Sequence, residues 1–259
     1  MKPIVASLIE PAKRPHDKNL FHFTSIPYQT TTIKDLVIVT CISQSFYDRL
    51  ENLIGSIHYY ERGLKIIVYD MGLSEWQLSK LNCMENVFVE TFNYDIYPLH
   101  IHDLNNYAFK ALIVKQAIDK YGSIFYSDAG SEFRSTLSSI ADNIERNGYF
   151  LTQQKSFINS LTHEDTFRYF NVNKNALEYQ DHHCSAGLIG INKKNVDFYN
   201  NILLPFVNCS LVKECIAPQL SSVTKHRFDQ SVLSILIKKN KKYTCSDDER
   251  YYGDFGSPM

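Results

Sequence analysis

Five apolar runs of strand length recur along this chain, with helix-length segments between them. They are "DLVIVT" (35–40), "LKIIVYD" (64–70), "VFVETFN" (87–93), "SIFYSD" (123–128) and "YFLTQ" (149–153). Continuous rather than alternating apolar character is expected of strands buried on both faces. Between the first two runs, Phe46, Leu50, Leu53, Ile54 and Ile57 repeat at helical spacing, and Gly63 ends that helix. "SEWQ" (74–77) has the Ser-x-x-Gln form of a capping box, so a short helix starts there. Residues 104–119 read as a helix with Ala108, Ala111, Leu112 and Ala117 on a slim apolar side, and Leu137, Ile140, Ala141 and Ile144 mark another. A β-α-β-α-β order needs helical crossovers between parallel neighbours. It predicts an α/β domain with a mainly parallel central sheet flanked by helices.

The second half is less regular. Residues 154–183 read as a long functional loop region, after which "CSAGLIGIN" (184–192) returns to strand character. A helix through Val196, Phe198, Tyr199, Ile202 and Leu203 should end near Pro205, and "HRFDQSVLSILIKK" (226–239) should be a helix entered through Asp229. The predicted organisation is an extended arm over 1–34, one domain over 35–240 and a tail over 241–259. A length of 259 residues with 44% hydrophobic content suits one sizeable core.

A net charge of −1 supplies no bulk attraction to nucleic acid or an anionic membrane. The first residues are too short an apolar stretch for a signal peptide, and no later window spans a bilayer. The expectation is a soluble, cytoplasmic chain, with a Golgi lumen setting if an anchor lies outside it. Six cysteines without CxxC spacing argue against a zinc knuckle and are expected as free thiols in a reducing compartment. One glycosylation sequon, "NCS" (208–210), matters only in a secretory setting.

In an open parallel sheet, ligands bind outside the carboxyl ends of the strands. Asp70 closes the second run and Asp128 the fourth, and neither is followed by GxGxxG or a P-loop. Asp128, with Ala129 and Gly130 after it, suits a divalent cation and a phosphate pressed close to the backbone. The plainer alternative is that Asp128 and Asp70 each cap their own turn. Asp229 is equally readable as a helix N-cap, and His226 as a ligand or a structural histidine. His182 and His183 are neighbours in an extended segment and point to opposite faces, which disfavours a joint metal site. No Gly-x-Ser-x-Gly elbow is present.

"VYDMGLS", "YAFK", "FYSDAGSEF", "CSAGLIGIN" and "HRFDQSVLSIL" occur in this order. That series resembles the GT-A glycosyltransferases, nucleotide-sugar-dependent enzymes with one Rossmann-like domain, over residues 35 to 240. It is more distantly similar to the glycogenin-like retaining members. The resemblance implies that Asp128 is the first acid of an Asp-x-Asp motif holding Mn²⁺ or Mg²⁺ on the donor diphosphate, with Ser127 or Ser131 assisting through a hydroxyl or a water. The third position of that motif is Gly130, which departs from the family pattern. Asp70 is implied near the base or ribose, beside Thr40 and Ile42, and Lys110 is implied to face the diphosphate. Ser185, Ala186 and Gly187 would border the donor sugar and acceptor, and Asp229 and Gln230 would form the sugar-binding floor. His226 would replace a late metal-binding histidine of the glycogenin-like enzymes. The implied reaction moves a sugar from a nucleoside diphosphate to a hydroxyl of a glycan or glycoprotein. If it inverts, Asp229 is the base, with Asp181 behind it; if it retains, Asp229 and Gln230 stabilise the sugar cation. Two alternatives stay open. A nucleotidyltransferase would carry a glycine-rich basic loop where "TCISQSFYDRL" stands. A degenerate transferase would keep only sugar or nucleotide binding, a reading that Gly130 sustains.

Overall fold

The computed structural model describes residues 35–247. The expected arm over 1–34, and the tail beyond 247, lie outside the described residues. The apolar runs become β1 (Val37–Ile42), β2 (Lys65–Asp70), β3 (Val87–Thr91), β4 (Ser123–Ser127), β5 (Tyr149–Phe157) and β6 (His182–Asn192). They form one six-stranded sheet in the order β3-β2-β1-β4-β6-β5. β3, β2, β1 and β4 pair in parallel, whereas β6 runs antiparallel to both β4 and β5. The mainly parallel sheet is therefore present, with one reversed strand wedged near its edge.

The helices are α1 (Tyr47–Tyr60), α2 (Glu75–Asn82), α3 (Phe109–Tyr121), α4 (Ser138–Asn147), α5 (Glu164–Tyr169), α6 (Val196–Phe198), α7 (Leu204–Ser210), α8 (Lys213–Ile216) and α9 (Asp229–Asn240). Successive strand residues point to opposite faces. Val37 and Val39 accordingly join a core with Leu112, Ile113, Phe206 and Ile235 of α3, α7 and α9. Ile38, between them, joins a second core with Leu50, Leu53, Ile140 and Ile144 of α1 and α4. Coverage on both faces is why β1, β2 and β4 are continuously apolar, whereas the edge strand β3 is only partly covered. Each such buried aliphatic side chain contributes about 1.5–3 kcal/mol.

The capping box forms as read. Gln77 N donates to Ser74 Oγ at 3.3 Å, and Ser74 N donates to Gln77 Oε1 at 3.0 Å. Pro205 does not end its helix. A π turn over Tyr199–Leu203 precedes it, with Leu204 N bonded to Tyr199 O, and the path continues to Ser210. Proline at the start of a helical turn has no N–H to lose, so it is tolerated there.

Two findings correct expectations. Cys184 pairs with Cys245, and Cys209 with Cys215, leaving Cys41 and Cys83 as thiols. The paired Cα atoms lie 5.7 and 5.3 Å apart, within bridging range, so four of the six cysteines are not the free thiols expected. The described part of the expected tail also packs on the sheet. Gln153 N donates to Ser246 O and Ser246 N to Leu151 O, and Tyr243 is buried. No helix among the described residues is long and apolar enough to cross a membrane.

Candidate active site

Strand order reverses between β1 and β4, because β1 leads outward through β2 and β3 while β4 leads the other way. A crevice at the carboxyl edge is expected at such a switch point. Asp128 is the first residue past β4 there. Its backbone closes the turn, with Ser131 N donating to Asp128 O at 2.9 Å. Its side chain does other work. Oδ1 accepts from the Tyr126 hydroxyl at 2.9 Å and lies 3.1 Å from Lys110 Nζ, and the side chain is 46% exposed. Tyr126 is two residues earlier and so shares that strand face. Its hydroxyl also meets Cys41 Sγ of β1 at 3.2 Å. Burial first of all pushes the Cys41 thiol up, to about 12, with nearby Asp128 adding to it.

The small trio Ser185-Ala186-Gly187 reaches Asp128 through a bulge. Leu151 pairs with Ile189 but Gln153 with Cys184, so β6 spends three more residues than β5 over that interval. Bulges of this kind re-aim a strand beside active sites. Asp128 N donates to Gly187 O at 2.9 Å. A Cβ at 187 would fall 2.7 Å from Asp128 Oδ2, so only glycine lets the carboxylate stand there. Ser185 Oγ accepts from Gly187 N at 3.2 Å and holds the excursion.

Lys110 sits in the first turn of α3, below Tyr107, which has left-handed backbone (φ 54°). The ammonium is 5% exposed and lies 2.6 Å from Asp229 Oδ2 as well as against Asp128. The rings of Tyr107 and Tyr126 are 5.5 and 5.8 Å from it. Burial works against its charge, but Asp128 and Asp229 outweigh burial and hold Lys110 protonated above the ordinary lysine range. Asp229 opens α9 directly after Phe228, a buried residue at φ 44°, ψ −113°. That backbone costs about 1–3 kcal/mol for a residue with a side chain, strain of the kind that gathers at functional sites. Burial lifts the Asp229 carboxyl above its usual range, against the pull of Lys110.

The other expected residues divide. Thr40 and Ile42 lie on β1 at the same edge, and Thr40 Oγ1 is buried with no hydrogen-bond partner among the described residues. Asp70 pairs in register with Ile42, but its Oδ1 accepts from Gly72 N at 2.8 Å and Leu73 N at 2.7 Å, the turn-closing role. Ser127 and Ala186 are buried beside Asp128 and Gly187, and Gln230 is half-buried in the first turn of α9. Asp181 is separate: it pairs with Lys238 and accepts from His182 N at 2.7 Å.

His226 cannot be the expected ligand. It is fully buried, Nδ1 accepts from His163 N at 3.1 Å, and Nε2 lies 3.0 Å from Ile216 O. Both nitrogens are spent on backbone, so no lone pair remains for a metal. Among the described residues no three His, Cys, Asp or Glu side chains gather as a metal site. Sequence reading missed Tyr126, Cys41 and Phe228. It also missed Arg49, whose Nη1 lies 3.9 Å from where a Cβ on Gly130 would stand. Tyr126 had a signal, its two-residue offset from Asp128; Arg49 had none.

A family model described as a protein of unknown function, DUF1647, matches residues 17–115. No curated protein matches the sequence. Among solved structures, core-mannan synthase A from Aspergillus fumigatus in its Mn/GDP form is similar at a TM-score of 0.56 and 9% identity, over 79% of this chain and 69% of that one. Mouse xyloside xylosyltransferase 1 is similar at 0.53 and 9%, over 82% and 85%. The bifunctional glycosyltransferase WbbM is similar at 0.52 and 12%, over 78% of this chain but only 37% of that one. Sheet order, helical layers and these likenesses agree: the chain has the fold of the GT-A glycosyltransferases.

Proposed function

We propose that the protein is a glycosyltransferase that moves a sugar from a nucleoside diphosphate sugar to a hydroxyl of a glycan or glycoprotein. The observation that carries this reading is the buried Lys110 between Asp128 and Asp229, at the crevice where β1 and β4 part. Two of these charges, Lys110 and Asp229, are buried, and burying such a pair is costly. Asp128 presents its half-exposed carboxylate to the donor's diphosphate, with Lys110 against it and Arg49 beside Gly130. Asp70, Thr40 and Ile42 line the nucleotide side. Ser127 and the trio Ser185, Ala186 and Gly187 border the sugar.

The cluster of Asp128, Lys110 and Asp229 carries about one net negative charge, so a diphosphate needs further positive charge to settle there. A divalent cation held by Asp128 and the donor's own phosphates fits, since Mn²⁺ and Mg²⁺ take oxygen ligands and Mg²⁺ binds through as few as one carboxylate plus phosphates. When bound, it would neutralise charge gathering on the departing diphosphate. Lys110 lies between Asp128 and Asp229 and bridges the two carboxylates. Asp229 is matched by Lys110 and Asp181 by Lys238; if the transfer inverts, Asp229 takes the hydroxyl proton. If it retains, Asp229 and Gln230 stabilise the sugar cation. Two disulfides suit an oxidising compartment, which replaces the cytoplasmic expectation in this reading.

The test is a screen of UDP-, GDP- and ADP-sugars for release of nucleoside diphosphate, with and without Mn²⁺. One donor should be turned over, Asp128→Asn should abolish turnover, and EDTA should reduce it with Mn²⁺ restoring it. Mn²⁺ should also enlarge the thermal shift given by the matching nucleoside diphosphate. Unchanged turnover in Asp128→Asn would overturn the proposal. A second reading, a non-catalytic nucleotide-sugar binder, is favoured by Gly130 and the committed His226. It predicts a thermal shift with no turnover of any donor.

A further inference from the structure

We propose that Asn208 is an N-glycosylation site. Three independent observations meet there. "NCS" (208–210) is an Asn-x-Ser sequence in which x is not proline. Asn208 is exposed on α7, while its neighbours Val207, Cys209 and Ser210 are buried. The outward position gives an attached glycan room without displacing core. The chain also carries two disulfides, and one of them, Cys209–Cys215, uses the middle residue of the sequon itself. Disulfides form and persist in the same oxidising compartment in which this modification occurs.

The transfer balances simply. The Asn208 side-chain nitrogen forms a bond to the anomeric carbon of an oligosaccharide carried on a lipid diphosphate. The bond from that carbon to the phosphate oxygen breaks, the lipid diphosphate leaves, and the amide loses one proton. Order matters at this site. Once Cys209 is bridged and Ser210 is buried in α7, the sequon is helical and its hydroxyl is out of reach. The glycan must therefore be added before the short Cys209–Cys215 loop closes.

The inference is independent of the transferase reading, and its test does not use activity. The full chain is translated in the presence of microsomes behind an efficient leader, with a reporter sequon placed ahead of residue 1. Only protease-protected chains that carry the reporter glycan are scored. The expected result is one further mobility step, removed by an N-glycan-specific amidase and absent in both Asn208→Gln and Ser210→Ala. A reducing agent added during translation should raise the fraction carrying the step, because it delays closure of the Cys209–Cys215 loop. Protected chains that carry the reporter glycan alone, in oxidising and reducing conditions alike, would overturn the proposal. So would a further step that persists in Asn208→Gln.

Discussion

Lys110 is the residue on which the site's electrostatics turn. Its ammonium is nearly sealed from solvent and touches two carboxylates, one of which, Asp229, is itself buried. Lys110→Met keeps the length of the side chain and removes the charge. It strands Asp229 in the interior, and losing one partner of a buried pair costs roughly 3–5 kcal/mol. Urea unfolding should show that loss in its midpoint with little change in slope. The double variant Lys110→Met/Asp229→Leu should regain a good part of it, because the orphaned charge goes too. Neither partner of this pair is recognisable from its own neighbours in the chain. "YAFK" shows a lysine early in a helix and "FDQ" an acid at a helix start, each with an ordinary surface explanation. Only the meeting of α3 and α9 joins them. Asp128 was half legible: its place at a strand end is written in "SIFYSD", but whether its carboxylate closes the turn or faces the cleft depends on Tyr126 and Lys110.

At the scale of elements, β6 carries most of what the apolar pattern left out. A continuous apolar run marks burial on both faces but has no direction, so the antiparallel sense of β6 could not be read from "CSAGLIGIN". Nor could its bulge, which exists only relative to β5. The capping box of α2, by contrast, is purely local chemistry, and there four residues were enough. The bulge gives a sharp prediction. Gly187→Ala places a methyl 2.7 Å from Asp128 Oδ2 while leaving the strand pairings on either side intact. Turnover should fall at least tenfold, through weaker donor binding, with a melting temperature within a few degrees of the parent. A variant with full turnover would mean that Asp128 is free to move aside.

The whole molecule should lose stability as acidity rises. Burial holds His183 and His226 down at about 4, so both are neutral in the fold. In the unfolded chain they titrate near 6.5. Between those values the unfolded chain binds more protons, so stability is full above pH 6.5 and falls as pH drops toward 4. Each histidine contributes on the order of 3 kcal/mol to that fall. Melting temperatures across this range in matched ionic strength should decline, and His226→Gln should flatten the decline. Disulfide partners were not legible, because six cysteines allow fifteen pairings and spacing alone does not choose among them. Cys184–Cys245 ties the segment after α9 to β6, one residue ahead of Ser185. Cys245→Ser, or reduction, should lower the melting temperature and weaken donor binding together.

The three-residue excursion of β6 has a further consequence. It pairs with β5 on both sides, through Leu151–Ile189 and Gln153–Cys184, and is itself packed, since Ser185 and Ala186 are buried and Ser185 Oγ holds Gly187 N. Gly187 must stay, and positions 185 and 186 accept only small side chains, so each replacement there also tests the seat of Asp128. A library confined to those two residues is the smallest place in which to look for altered sugar preference.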